Sequence, residues 1–247
     1  MADEHPLPGG LVNDVVLKDG SVRRPLGAHS AFVHRLLRHF EDRGWGGAPR
    51  FLGIDEDGRE MLSFFEGHAA IEQDRSPYAE SDASLEQLAA MVREFHDLAA
   101  DAAFSGEAET VCHNDLSPKN TVYAGEGAGA LPVALIDWDT AAPGERIDDL
   151  AHLCWQHLRL GPLATDPAET ARRMRLVCDA YGLDRDRRGR LVEAVLGWQD
   201  RCRRGIESKA AAGEAAMVRL RERGTPAWIG ECRQWVAEHR GELEAAL

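Results

Sequence analysis

The stretch Val111-Cys112-His113-Asn114-Asp115-Leu116-Ser117-Pro118-Lys119-Asn120 sets a histidine, an aspartate and an asparagine at fixed spacing. A second segment answers it downstream, where the apolar run Ala134-Leu135-Ile136 ends in Asp137, followed by Trp138 and Asp139. Phosphoryl transfer needs this set of groups. One carboxylate orients a hydroxyl and accepts its proton, while an amide and a second carboxylate hold Mg²⁺ across the phosphates.

These groups work only if other elements bring them together. Thr121-Val122-Tyr123 and the run from Pro132 to Ile136 read as strands around a turn carrying Gly125, Gly127 and Gly129. That hairpin places Asn120 at the start of one strand and Asp137 at the end of the other, as two ligands of one metal require. Upstream, Gly9-Gly10 is a turn signal, Val15-Val16-Leu17 is a short strand, and Lys18-Asp19-Gly20-Ser21 carries the Asp-Gly hairpin signal. Val22-Arg23-Arg24 follows and stops at Pro25. Side chains alternate along a strand, so one of the two arginines points into a cleft and can meet phosphates. If Val22 faces the adenine, that residue is Arg24; if Val22 faces away, it is Arg23.

Ser30 to Arg43 has the helical period, with Ser30 as N-cap and Gly44 as stop. Arg50–Ile54 and Glu60–Phe65 read as two more strands, which makes five in all with one helix. The chain leaves this sheet near Gly67, and backbone groups at that exit can hydrogen-bond a nucleotide base. Ser63 and Phe65, at the strand end, and Lys119, in the loop, join the arginines as candidate nucleotide-binding residues. Residues 68–83 read as a polar loop. A helix is expected from Ser84, with Ser84 and Gln87 as a capping box and His96 beside its apolar face. From Ile147 onward the pattern is helical. The expected organisation is α+β: an N-terminal nucleotide-covering lobe over residues 1–67 and a helical lobe over 68–247 with the catalytic loop and acceptor site.

Composition limits the partners. The 247 residues carry a formal net charge of −13, which disfavours nucleic acid and suits either a cationic substrate or solubility alone. No run approaches the roughly 20 apolar residues of a membrane span. The N-terminus lacks signal-peptide character, so a cytoplasmic location is expected. Five cysteines without a C-x-x-C pair suggest neither disulfides nor zinc. Nothing in the sequence reads out an oligomeric state.

His113-x-Asp115-Leu116-x-Pro118-x-Asn120, then Ile136-Asp137-Trp138-Asp139 and Pro143-Gly144-x-Arg146-x-x-Asp149-Leu150-Ala151, resembles the aminoglycoside phosphotransferase and choline-kinase superfamily. The flavour is that of its short, trifolitoxin-immunity-like bacterial branch. The resemblance implies a bilobal protein-kinase-like fold and transfer of the γ-phosphoryl group of ATP, with Mg²⁺, to a small-molecule hydroxyl. GTP is the other candidate donor, and a cationic antibiotic such as an aminoglycoside is a candidate acceptor. Carried over, Asp115 matches the catalytic base, and Asn120 and Asp137 match the metal ligands. Asp149 matches a carboxylate that braces the loop through its backbone, and His113 a histidine packed beneath it. Asp139, beside the metal aspartate, either contacts a cationic substrate or caps a turn.

Three departures mark this chain. Asn114 stands where the family often has glycine. The helix of the small lobe offers His34, and no glutamate before Glu41, where the strand cation should find its acid. The loop at Gly9-Gly10 is short. The missing helix glutamate favours an alternative: a nucleotide-binding immunity or pseudokinase protein with little or no transfer. The intact Asp115, Asn120 and Asp137 argue for the enzyme.

Overall fold

The computed structural model describes residues 4–7, 15–69, 80–125 and 127–247. The expected Gly9-Gly10 turn lies outside the described residues. The N-terminal half is an antiparallel sheet of β1 (His5–Pro6), β2 (Val16–Lys18), β3 (Ser21–Arg24), β4 (Phe51–Ile54) and β5 (Glu60–Ser63), in the order β1-β2-β3-β5-β4. Asp19 and Gly20 both have positive φ, 50° and 72°, which the tight β2–β3 hairpin requires. Helix α1 (Ser30–Asp42) packs on the sheet through Val33, Leu36, Leu37 and Phe40. Ser30 is its first residue rather than its cap, and its hydroxyl accepts from the Gly27 amide.

The chain leaves β5 at Ser63. Gly67 then passes so close to Tyr123 that a Cβ there would lie 2.5 Å from the Tyr123 carbonyl oxygen. The expected loop over 68–83 is partly strand: β6 (His68–Ala69) pairs with a strand of the second half. Helix α2 (Asp82–Leu98) begins two residues before the expected Ser84. Its cap is Ser81, whose side chain accepts from the Ser84 amide, so that amide is satisfied from upstream and not by a Ser84 box.

After α3 (Ala102–Ser105) come β7 (Thr110–Cys112), β8 (Thr121–Ala124), β9 (Leu131–Leu135) and β10 (Ala142–Gly144). β6, β8 and β9 form one small sheet, and β7 pairs with β10. The expected hairpin is therefore present as β8–β9. Seven helices complete the chain: α4 (Arg146–His157), α5 (Pro167–Tyr181), α6 (Arg185–Arg188), α7 (Leu191–Ala211), α8 (Ala215–Glu222), α9 (Thr225–Glu238) and α10 (Arg240–Ala245). The fold is α+β and kinase-like, with a small sheet-bearing lobe and a mainly helical one. No described helix is long and apolar enough to cross a membrane.

The two halves share one hydrophobic core. Its pivot is Trp138, 1% exposed, with ring centroids 5.2 Å from Phe40 of α1 and 5.1 Å from Phe95 of α2. The Trp138 indole donates to the Leu135 carbonyl at 2.8 Å. A buried tryptophan is worth on the order of 3–5 kcal/mol over alanine. Here that burial fixes Asp137 and Asp139, its neighbours, at the junction of the two halves.

Candidate active site

The site is built on a braced loop. β7 delivers His113, Asn114 and Asp115, and a single 3₁₀ turn (Pro118–Asn120) ends the loop. Asp149 of α4 lies fully buried under it. One carboxylate oxygen accepts the His113 amide at 2.7 Å and His96 Nε2 at 3.0 Å; the other accepts the Asn114 amide at 2.8 Å. His96 Nδ1 in turn meets the Tyr181 hydroxyl at 2.8 Å. Burial penalises the Asp149 charge, but His96, His113 and the loop amides outweigh it and hold its pKa below the usual range. Burial depresses the His96 pKa, against the pull of Asp149. His96 is thus a structural residue. It also falls, with Cys112 and Asp149, in a grouping whose ligand atoms lie within 4.8 Å of one another. That grouping does not suit a metal: Asp149 is saturated by hydrogen bonds, and the Cys112 thiol donates to the Glu145 carbonyl with its pKa pushed up by burial.

Asn114 takes φ 63°, the left-handed region that glycine usually supplies. Its side-chain amide donates to the Thr140 carbonyl at 2.9 Å, and the Thr140 hydroxyl donates to the His113 carbonyl at 2.9 Å. Asparagine therefore does what glycine cannot, stitching the loop to the segment that carries Asp137. His113 packs beneath with Nε2 3.1 Å from the Ile136 carbonyl and its ring 4.5 Å from that of Trp138.

Asp115 projects from this frame. Its Oδ2 accepts Asn120 Nδ2 at 2.8 Å and the half-exposed Lys119 ammonium at 3.0 Å. Burial pushes its pKa up, but Lys119, His152 and His113 together hold it below the ordinary carboxylate range. Asp115 is therefore ionised and ready to accept a hydrogen bond from a hydroxyl. With its nitrogen spent on Asp115, Asn120 has its amide oxygen to offer a cation. The Ile136 amide, beside Asp137, donates to the Asn120 carbonyl at 2.8 Å, so the expected neighbourhood of Asn120 and Asp137 is real.

The cation from the sheet is Arg24. It is 8% exposed, and its Nε meets Glu60 Oε1 at 2.5 Å. Its fork holds Asp139 at 2.5 and 3.2 Å and reaches Asp137 Oδ1 at 3.3 Å. Burial acts against the guanidinium charge; Asp139, Glu60 and Asp137 overcome it and raise its pKa. Arg23 points the other way, toward Asp55 at 3.7 Å. Asp139 is thus an Arg24 partner, a contact foreseen neither as substrate contact nor as turn cap. Ser63 has its amide and hydroxyl committed to Arg50, and half-buried Phe65 follows in the exit segment.

Glu60 is the residue the sequence reading missed. It sits directly opposite Arg24 across the β3–β5 ladder, 1% exposed, and its second oxygen lies 2.5 Å from His34 Nε2 on α1. The acid expected on the helix comes from a strand, and the helix contributes the histidine that holds it. The signal was available in principle: an acid opening a strand two residues before the buried Leu62, in register with a basic strand end.

The donor set fits a hard divalent cation. Asn120 and half-exposed Asp137 both offer oxygen, and among the described residues Arg24 is the one cation hydrogen-bonded to Asp137 and its neighbour Asp139.

A family model described as "Phosphotransferase enzyme family" matches residues 103–189, the segment that holds Asp115, Asn120, Asp137 and Asp149. The trifolitoxin immunity protein of Rhizobium leguminosarum bv. trifolii is 34% identical over 278 aligned residues, covering 100% of both chains. Among solved structures, a choline/ethanolamine kinase family protein from Mesorhizobium loti superposes with a TM-score of 0.66 at 14% identity, over 99% of this chain and 93% of that one. The GDP and kanamycin complex of an aminoglycoside phosphotransferase superposes with a TM-score of 0.56 at 15% identity, over 97% and 93%. The chain belongs to the phosphotransferase enzyme family, in the branch of the trifolitoxin immunity protein.

Proposed function

We propose that the protein is an ATP- and Mg²⁺-dependent phosphotransferase acting on a small-molecule hydroxyl. The observation that carries this reading is the meeting of Asp115, Asn120, Asp137 and Arg24 at the junction of the two halves, tied by the 2.8 Å Asn120–Asp115 bond and the 3.3 Å Arg24–Asp137 contact. Asp115 orients the acceptor hydroxyl. The hydroxyl oxygen bonds to the γ-phosphorus as the bond to the β-phosphate oxygen breaks; the hydroxyl proton passes to Asp115 and the nucleoside diphosphate leaves. Asn120 and Asp137 would hold Mg²⁺, which neutralises phosphate charge when bound. Arg24 meets the phosphates, and Lys119 can swing from Asp115 to the transferring group. The exit segment 63–67 recognises the base through backbone groups, which serve adenine or guanine alike; the neighbour carrying GDP keeps GTP beside ATP. The lobes divide at 67/68, which the pairing of β6 with β8 supports. A cytoplasmic location follows from the use of ATP.

Catalysis of this kind is mainly positioning and electrostatics. Asp115→Ala lowers acceptor-dependent turnover by about 10³-fold while nucleotide affinity stays within about threefold. Unchanged turnover in that variant refutes the assignment. A second reading, a nucleotide-binding immunity protein with little transfer, is favoured by the relative's name and by the occupied Arg24 fork. Nucleotide binding without acceptor-dependent ADP release across aminoglycosides, amino alcohols and sugars supports that second reading.

A further inference from the structure

Helix α4 presents more than the brace to the loop. One turn after Asp149 comes His152, on the same face of the helix, 4% exposed. Its Nδ1 has no hydrogen-bond partner among the described residues. Facing it from α7 is Trp198, with ring centroids 5.2 Å apart. The Trp198 indole Nε1 is also shut from solvent and also without a partner. Buried polar atoms are satisfied in the large majority of cases, and exceptions ask for an explanation. Two exceptions on facing helices, beside the loop that carries Asp115, mark a place where a ligand supplies the missing partners.

The chemistry of the pair limits that ligand. Burial lowers the His152 pKa despite the pull of Asp115 and Asp149, so the ring is neutral, with one N–H and one lone pair. The indole is a donor only. An ammonium group needs carboxylates or an open aromatic face, and beside this pair one of each is taken by a cation of the protein. Arg201 stacks 4.5 Å from the Trp198 centroid and holds Asp148 at 2.7 Å. From Trp198 to Gly224 the chain carries seven basic against four acidic residues, within a protein of net charge −13. The overall acidity is therefore not concentrated on this wall.

We propose that His152 and Trp198 form the acceptor subsite beside Asp115 and select a non-cationic polyhydroxy compound, a polyol or sugar acid, over polyamines. Oxygens of the acceptor take the indole N–H and pair with His152 Nδ1, which turns one hydroxyl toward Asp115. This inference rests on the phosphotransferase reading.

The test gives the whole protein Mg²⁺-ATP with myo-inositol, gluconate, choline or kanamycin, and follows ADP release. Release above the water background with inositol or gluconate, and not with choline or kanamycin, is expected. Trp198→Phe keeps the ring and removes only the N–H. It raises KM for the active probe about tenfold and leaves the ATP dissociation constant unchanged. His152→Ala does the same, and His152→Gln, which restores a donor and an acceptor, recovers part of the loss. Turnover of kanamycin or choline alone, no release with either oxygen-rich probe, or an unchanged KM in Trp198→Phe overturns the proposal. The background hydrolysis separates the two claims: if wild type and Asp115→Ala hydrolyse ATP equally, the phosphotransferase reading itself fails.

Discussion

Two charged networks meet at the cleft, and they are built on opposite principles. The brace under the loop (Asp149, His96, Tyr181) lies within the protein, and both Asp149 oxygens are committed to protein donors. The clamp above it (Glu60, Arg24, Asp137, Asp139) is buried at the Glu60 end and open at the other, where Asp137 and Asp139 are 44% and 41% exposed. A closed network fixes geometry before any ligand arrives. Under the proposed function, an open one has to exchange partners when phosphate and a cation enter. The loop is therefore preorganised, and the clamp is the part that responds.

Breaking the brace gives the largest effect on stability. Asp149→Asn keeps the shape but removes the charge and turns an amide nitrogen toward N–H donors, leaving buried groups unpaired. The expected cost is about 3–5 kcal/mol, on the order of 10 °C in Tm for a chain of this size. A melt within 2 °C of wild type would show the brace to be dispensable. Acid tests the same network by titration. The pKa values of His96 and Asp149 are both depressed in the folded state, so their contributions are complete above the unfolded values and lost as pH falls. His96 acts first, from about pH 6.5 downward, at up to roughly 1.4 kcal/mol per pH unit; Asp149 follows below about pH 4. Between pH 7.5 and 5.5 Tm should drop in wild type, with a smaller drop in His96→Gln.

The clamp should show the reverse pattern, with function more sensitive than stability. Glu60→Gln leaves Arg24 its two exposed partners, so Tm shifts less than in Asp149→Asn. The arginine loses the fixed carboxylate that aims it, and kcat/KM for nucleotide falls about 10- to 100-fold, or roughly 1.4–2.7 kcal/mol. Equal losses of Tm in the two variants would erase the distinction between brace and clamp.

The two networks also differed in how far the sequence disclosed them. The brace was readable in part, through the family resemblance: its motif marks Asp149 as the support of the loop and Asn114 as standing where glycine is usual, while the His96 and Tyr181 contacts arise only when α2 and α5 pack against α4. The β2–β3 hairpin was readable from local spacing, since Asp19-Gly20 encodes its own turn. The clamp was not, because Arg24, Glu60 and His34 meet only through a ladder register and a helix docking. Both are set by packing of Val33, Leu36 and Phe40 against the sheet and Trp138, with no local signal for which acid lies opposite Arg24. The start of α2 failed for a smaller reason. Ser81 and Ser84 are both good caps, and the backbone chose the earlier one.

Asp139→Asn gives the smallest and most discriminating effect. Asp139 occupies both Nη groups of Arg24, the positions a phosphate would take under the proposed function. Nucleotide binding must displace it, and its half-exposed carboxylate then faces incoming phosphate with the wrong charge. Neutralising it weakens the competitor without touching Glu60 or Asp137. A pair this exposed is worth at most about 1 kcal/mol, so ATP affinity should rise by up to about fivefold. Titration calorimetry at two ionic strengths checks the sign and the origin, since a screened exposed pair gives a smaller gain at high salt. Weaker binding in Asp139→Asn would mean that this carboxylate helps to hold the bound state, and that the clamp is as preorganised as the brace.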